Sequence, residues 1–409
     1  MKSNEDVNHQ DEVIEVPKLR FIPFNKPWGK SKLKDIATFI NGRAYKQNEL
    51  LDSGKYRVLR VGNFFTNTSW YFSDLELNHK YYAEEGDLLY TWSASFGPHI
   101  WHGEKLIYHY HIWKIELSDK TDKLFAKYLL DYDKEKILSD KNGSTMVHIT
   151  KKGMEEKEVN LPSYSEQIKI GIFLKNLDDV ISLHQQELDA LKQTKQGFLQ
   201  RMFPKEGETV PEVRLPSFSD EWAPWKLSDI TDLITKGTTP KNMSNEGLIN
   251  FVKVENINPF SNQITSYSKI SLEEHNGNLK RSQLKKNDIL FSIAGTLGRT
   301  AIVKEKDLPA NTNQALAILR MKNTNIDFIT TYLKGKLVKD YIRKNPTIGA
   351  QPNLSLQQLK DLHVFLPSNQ EQIKIGEFFK QMDEVINLKQ QELEALKQTK
   401  QGFLQKMFI

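Results

Sequence analysis

Leu161–Phe203 reads LPSYSEQIKIGIFLKNLDDVISLHQQELDALKQTKQGFLQRMF, and Leu366–Phe408 reads LPSNQEQIKIGEFFKQMDEVINLKQQELEALKQTKQGFLQKMF. The shift is a constant 205 residues and 32 of 43 positions are identical, so the chain carries one segment twice. Each copy predicts a single long helix. Pro162 and Ser163 stand at its start, Ser163 and Glu166 have the spacing of a capping box, and Gln, Leu, Lys and Glu follow in density. In the first copy Ile170, Leu174, Leu177, Ile181, His184, Leu188, Leu191, Lys195, Phe198 and Met202 alternate at spacings of four and three. The second copy repeats the ladder at Ile375, Phe379, Met382, Ile386, Lys389, Leu393, Leu396, Lys400, Phe403 and Met407. Eight rungs of ten are apolar in each copy, which is a coiled-coil seam with two polar interruptions. At about 1.5 Å per residue such a rod is roughly 57 Å long, and a seam that narrow needs a partner. The other copy has the matching ladder; the alternative is that each helix packs on its own domain. The helix-pair interface is therefore assigned to Leu174, Leu177, Ile181, Leu188, Leu191 and Phe198 with Phe379, Met382, Ile386, Leu393, Leu396 and Phe403. Identity extends beyond the seam to outward positions, which points to an external partner met twice by the same face.

The 409 residues hold two domains of about 150 residues besides the helices. The apolar fraction of 38% and mean hydropathy of −0.56 describe a soluble chain without a run long enough to span a membrane. Residues 1–15 are polar and acidic, unlike a signal or transit peptide, and read as a disordered tail. The absence of cysteine excludes disulfides and thiol chemistry and fits the cytoplasm. The net charge of +5 leans mildly towards polyanionic partners.

The duplication reaches further. Val16–Ile36 matches Val210–Ile230 at a shift of 194, pairing Val16, Pro17, Arg20, Phe24, Trp28, Leu33, Asp35 and Ile36 with identical residues. Pro204 ends the first long helix, and 204–209 form a linker. The divisions are thus a first domain at 16–160, a helix at 161–203, a second domain at 210–365 and a helix at 366–409. Inside each domain the framework recurs: strands at Tyr56–Asn63 and Asn250–Ile257, at Gly86–Ser93 and Asn287–Ala294, and at Tyr108–Leu117 and Ala315–Met321. Helices are expected at Lys123–Leu138 and Asp327–Lys344. The loops differ, and loops on a rigid scaffold carry recognition.

No catalytic constellation stands out. Asn258-Pro259-Phe260 is one proline short of the Asn-Pro-Pro-Phe with which amino-methyltransferases grip a flipped base, and no glycine-rich cofactor or phosphate loop accompanies it. His99, His102, His109 and His111 lack a further ligand to complete a zinc set, although His109 and His111 are expected on one strand face. The loop residues make the better case. Arg43, Lys46, Arg60, Asn63, Trp92, Ser93, Ser95, His99, His109 and His111 fall at strand ends or turns of the first domain. Their counterparts in the second are Lys236, Thr238, Thr239, Lys241, Lys253, Asn256, Arg281, Arg299, Asn311, Asn313, Gln314 and Gln351. Arg, Asn and Gln pair with base edges, while Lys, Ser and Thr hold phosphates, so the set favours double-stranded DNA.

The arrangement resembles the DNA-specificity subunits of type I restriction-modification enzymes. The marks are the twin LPSxxEQIKIG and LKQTKQGFLQ segments, the Val-Pro-x-x-Arg opening of each half and the Gly-Asp-Leu-Leu or Asn-Asp-Ile-Leu strand starts, over residues 16–408. The resemblance implies an α+β fold: two similar mixed α/β target-recognition domains separated by two long antiparallel helices in a coiled coil, with pseudo-twofold symmetry. Each domain would read one half of a bipartite asymmetric target, and the helix pair would set the spacer. Two methyltransferase subunits would dock on the repeated faces and bring S-adenosylmethionine, and motor-nuclease subunits would bring ATP and Mg chemistry. The chain itself would bind no cofactor or metal and would be non-catalytic. The alternative is a coiled-coil scaffold whose end domains bind protein or glycan, which predicts no salt-dependent DNA affinity.

Overall fold

The computed structural model describes residues 16–93, 95–139, 149–241, 247–259, 261–345 and 353–409. The acidic tail, Phe260 and Gln351 lie outside the described residues. The chain forms two compact units: residues up to Leu183 with Leu393–Ile409, and His184–Glu392. The two long helices, Tyr164–Arg201 and Asn369–Met407, are each divided between the units. The boundary falls inside the helices, whereas the sequence suggested one at each helix start.

In the first unit a four-stranded antiparallel sheet has the order Ala37–Asn41, Ile112–Leu117, Leu88–Thr91, Gly97–Ile100. A second sheet has the order Tyr71–Ser73, Tyr56–Leu59, Leu106–Tyr108, Tyr82–Ala83, its middle pair parallel. Leu88–Thr91 is buried on both faces because it lies between two layers of core. Leu88 and Tyr90 join Phe125, Tyr128 and Leu129 of the helix Lys123–Ser139, while Leu89 joins Leu59, Leu106 and Tyr108 of the second sheet. This double burial gives a continuous apolar run instead of alternation.

The second unit repeats the plan: Thr231–Lys236, Leu316–Met321, Ile289–Ser292, Thr300–Ile302 in one sheet, and Ser268–Ile270, Ile249–Val252, Ala310–Thr312 in the other. Ile289 and Phe291 face one cluster and Leu290 the other. The helix expected at Asp327–Lys344 is two, Ile326–Tyr332 and Lys336–Lys344, with Gly335 capping the second. Tyr108–Leu117 is likewise divided: Leu106–Tyr108 and Ile112–Leu117 belong to different sheets. His109 and His111 therefore sit in the turn between them and share no strand face.

Each unit buries the beginning of one long helix against the end of the other, running antiparallel. In the first, Phe173 meets Phe403 edge-on at 5.0 Å and Lys400 Nζ lies 2.5 Å from Asp178. In the second, Phe198 meets Phe378 at 5.2 Å and Lys195 pairs with Asp383. The polar rungs at Lys195 and Lys400 are thus answered by carboxylates from the facing helix, a register device. The rung at Lys389 reaches Glu187 at 3.3 Å, and His184 lies 3.8 Å from Glu392. Of the assigned seam, Leu174, Leu188, Phe379, Ile386 and Leu393 are buried; Leu177, Ile181, Leu191, Phe198, Met382, Leu396 and Phe403 are half-buried. Leu199 and Leu404, off the ladder, are buried because the helix ends enter domain cores and their apolar face widens. Leu404, Met407 and Phe408 complete the first unit's core, and Leu199, Met202 and Phe203 complete the second's.

The shared LPSxxEQIKIG motif is an internal dock. Glu166 is buried and takes the Arg20 guanidinium bidentately at 2.6 and 2.8 Å, and Glu371 takes Arg214 at 2.8 and 2.7 Å. The capping box expected at Ser163 and Glu166 is not made, because Arg20 claims the carboxylate and Ser163 Oγ turns to Ser165. Gln167 donates to the Pro162 and Lys120 carbonyls and accepts from Asp122 N–H; Gln372 donates to Pro367 and accepts from Asn325 N–H. A Cβ on Gly171 would stand 2.7 Å from Leu124 Cβ, and one on Gly376 would stand 2.5 Å from Asn325 Oδ1. Glycine is what lets each long helix touch the start of its domain helix, where Asp122 and Asn325 cap Phe125 and Phe328 N–H. No helix among the described residues is long and apolar enough to cross a membrane.

Candidate nucleic-acid interface

Strand directions gather the loops on one edge of each unit. In the first, Asn41 pairs with Trp113, Thr91 with both Ile112 and Gly97, and Leu59 with Tyr108, so the turns after Asn41, Leu59, Thr91 and Tyr108 converge. In the second, Lys236 pairs with Ala317, Ser292 with Leu316 and Val252 with Thr312, and the same four turns converge. A glycine makes each crossing between sheets. A Cβ on Gly42 would lie 2.3 Å from the His109 carbonyl, and one on Gly237 would lie 2.1 Å from the Thr312 carbonyl. Arg43 and Thr238 follow, donating their N–H to the Tyr108 and Thr312 carbonyls at 3.1 and 3.0 Å.

A second twin is the turn after the middle strand. Arg60 N–H donates to Asn63 Oδ1 at 3.0 Å, and Lys253 N–H donates to Asn256 Oδ1 at 2.8 Å. These asparagines were expected to read bases; they hold their own turns. Asn63 also donates to the Asn67 and Ser69 carbonyls, and Asn256 is buried and donates to Ser266. Asn311 is a further correction. It is fully buried, donating to Leu279 O and Ser282 Oγ with its Oδ1 against His275 Nδ1, so its amide has no edge left for a base. Arg43 is committed too, paired bidentately with Glu49 at 2.7 and 3.0 Å and set over Tyr45 at 5.1 Å. That guanidinium and the Lys46 N–H hold the Glu49 carboxyl down at about 2.

The remaining residues leave the two edges chemically unlike. The first is aromatic. Trp92 donates its Nε1–H to the Tyr110 carbonyl at 3.0 Å and meets His111 edge-on at 5.0 Å, while His111 lies 3.9 Å from Tyr110 and 4.9 Å from His109. Arg60 lies over Tyr71 at 4.2 Å. His99 stacks on Phe64 at 4.0 Å, its Nε2 within 3.3 Å of Thr91 Oγ1. Burial pushes His99 and His109 down to about 4 and lowers His111 as well, so the first edge presents neutral imidazoles at neutral pH. Lys46 and Ser95 are exposed and Ser93 half-exposed. Tyr110 and Phe65, both exposed, were not among the candidates, although the run YHYHIW could have suggested the first.

The second edge is cationic and amide-bearing. Lys236, Lys241, Arg281 and Gln314 are exposed; Arg281 Nε donates to Thr238 Oγ1 at 3.1 Å, and Thr239 Oγ1 donates to Gln314 Oε1. Lys253 lies 3.8 Å from Glu255, Asn313 caps Ala315 N–H at 3.2 Å, and Arg299 Nη1 donates to the Val254 carbonyl at 3.2 Å. The twin aspartates at the strand starts are structural: Asp87 pairs with Lys114 at 2.7 Å and Asp288 with Arg320 at 2.8 Å. Among the described residues no group of His, Asp and Glu is arranged to hold a metal.

Two unlike polar edges on one duplicated framework are the features of a modular reader. The family model described as the type I restriction modification DNA specificity domain matches residues 25–193 and again residues 219–398, and the chain belongs to that family. It is similar to the type I restriction enzyme MjaVIII specificity subunit of Methanocaldococcus jannaschii, 24% identical over 391 residues that cover 92% of this chain and 91% of that protein. It is also similar to the EcoBI specificity subunit of Escherichia coli, 25% identical over 386 residues covering 89% and 81%. The fold is shared with the crystal structure of a type I restriction-modification S subunit from M. genitalium (TM-score 0.55, 17% identity, 97% of this chain and 99% of that chain). It is shared too with a chain from a structure addressing complex assembly and conformational transition of the type I R-M system (TM-score 0.57, 16% identity, 94% and 99%).

Proposed function

We propose that this chain is the sequence-specific, non-catalytic DNA-binding subunit of a type I restriction-modification complex, each loop edge reading one half of a bipartite target. The observation that carries the reading is the pair of converged loop edges, built on the same glycine crossing and the same capped turn yet different in chemistry. Base readout needs polar groups on rigid supports, and loops on strand ends supply them. On the second edge Lys236, Lys241, Arg281, Arg299 and Gln314 are the contacts proposed; on the first, Lys46, Arg60, Trp92, Ser93, Ser95, His109 and His111.

The long helices act as the spacer ruler, and their outward repeated faces receive two methyltransferase subunits, with S-adenosylmethionine, ATP and Mg remaining on the partner subunits. Support comes from an outward position of the repeat: among the described residues, Gly197 and Gly402 in LKQTKQGFLQ have nothing within 4 Å of where a Cβ would stand. Mapping methylated adenines in DNA modified by this chain with its methyltransferase tests the whole. A split target is expected, and exchange of residues 37–160 for another family member's should alter one half only. Matched four-residue insertions near Leu188 and Leu393 should lengthen the spacer; an unchanged spacer removes the ruler.

A further inference from the structure

The second unit holds a cavity of about 430 Å³ behind the 293–299 loop, between that loop, the long helices and the domain helices. Five cationic side chains line it, Lys192, Lys195, Arg299, Lys334 and Lys339, against one carboxylate, Asp383. Asp383 is taken by Lys195. Among the described residues Lys334 Nζ is buried without a hydrogen-bond partner, and so is Nε of Arg299, a residue that also lines the cavity. A buried ammonium without a partner is costly, because water has been removed and nothing replaces it.

The first unit shows that the fold does not require this charge. Counted from the residues that cap the domain helices, Asp122 and Asn325, Lys334 stands where the first unit has Asp131. There Lys127 bridges Asp131 and Asp178 at 3.0 Å each, and Lys400 pairs with Asp178. Two lysines meet two carboxylates and the network closes. In the second unit Lys195 and Asp383 repeat half of that network, and the other half is replaced by Lys334, whose buried Nζ has no hydrogen-bond partner among the described residues, in the wall of the cavity.

We propose that this cavity seats one phosphate of a DNA backbone running along the second unit's recognition edge. A phosphate supplies the charge and the acceptors that Lys334 and Arg299 lack, and the volume leaves room for bridging water, at about 30 Å³ each. Arg299 and the 293–299 loop belong to the recognition edge, which makes a backbone phosphate the natural occupant. The assignment rests on the DNA-binding reading above and deepens it: the two half-sites would depend on salt unequally, since in the first unit the matching charges are paired with each other.

Titration supports the geometry. Burial lowers Lys334 to about 7, Lys195 adding to the effect, Asp383 opposing it and Lys339 adding to it. The free cavity thus carries Lys334 partly neutral at neutral pH, and a bound phosphate must draw the proton back. DNA affinity contributed here is present below about pH 7 and lost above it. Lys334→Met keeps the stem and removes the charge.

With the full chain and duplex DNA, the log–log salt slope should fall by about 1 in Lys334→Met. The weakening of wild-type binding between pH 6.5 and 8.5 should flatten in the variant. Its melting temperature should be unchanged or higher, which separates a binding loss from misfolding. A variant with the wild-type slope and pH response overturns the seat and leaves the DNA reading standing, whereas a wild type without salt-dependent DNA affinity overturns the reading itself. Should inorganic phosphate raise the melting temperature of wild type but not of Lys334→Met, while the DNA slope stays unchanged, the occupant is free phosphate and the backbone assignment fails.

Discussion

His99 and His109 show how little a residue's identity says about its state. Both were candidates for contacts with DNA, and burial holds each near 4; Lys134 and Lys127 add to this at His99, His111 and Arg60 at His109. Because the folded values lie below the unfolded value of about 6.5, the unfolded chain takes up protons first as pH falls. Stability from these groups is therefore complete above about pH 6.5 and is lost progressively down to about 4. We expect the first unit to lose on the order of 1–2 kcal/mol per histidine over that window, discounting for partial exposure. Urea midpoints at pH 7 and pH 4.5 measure it. His99→Phe keeps the stack on Phe64 and should shrink the difference; an undiminished difference would mean that His99 is not depressed. The same burial explains why Asn256 and Asn311 could not be told from loop readers beforehand: an Asn that caps a turn and an Asn that faces a base look alike in a sequence.

At the scale of elements, the repeated helix divides into two parts with different reasons for being repeated. The EQIKIG half is repeated because each copy docks on its own domain through Glu, Gln and Gly, which accounts for identity at positions off the seam. The Gly-Phe-Leu-Gln half supplies Phe and Leu to the other copy's domain, yet a Cβ on its glycine would meet nothing within 4 Å among the described residues. Two substitutions separate these roles. Gly171→Ala forces a Cβ to 2.7 Å from Leu124 Cβ and 2.9 Å from Phe125 N, and should cost about 1–3 kcal/mol in the first unit. Gly197→Ala, in open space within a helix, should stabilise the isolated chain by about 0.5–1 kcal/mol. Denaturant unfolding of both variants compares them directly; a destabilised Gly197→Ala would show a constraint absent from the helix as described. If Gly197→Ala is stabilising alone but weakens binding of the methyltransferase proposed above, the glycine serves that partner.

On the scale of the whole molecule, each unit is completed by residues from the far end of the other repeat. Leu404, Met407 and Phe408 are buried against Trp28, Phe125 and Tyr128, with Phe408 5.4 Å from Phe125 and 6.3 Å from Trp28. Losing three such side chains costs about 2–5 kcal/mol each, which together is comparable to the stability of an ordinary domain, about 5–15 kcal/mol. A chain ending at Glu392 should therefore lose the first unit's protection in hydrogen exchange while His184–Glu392 keeps its own. Equal protection of both units in the shortened chain would deny that the first depends on the second helix's end.

The duplication, the long helices with their polar rungs, the recurring strands and the family could all be read in the sequence, because helical periodicity and internal repetition are local signals. Which face each helix end buries was not local. Phe378 and Leu404 lie off the ladder and are placed by cores assembled from segments far apart in the chain, Phe378 against Phe198 and Leu404 in the cluster that holds Trp28. The same holds for the loop edges. Gly42, Gly237 and the capped turns reveal their purpose once two sheets are brought together, and Lys334 becomes a buried unpaired cation through the packing of elements distant in the chain around it. Charge, burial and hydrogen-bond supply are properties of neighbours in space, and tertiary structure alone decides who they are.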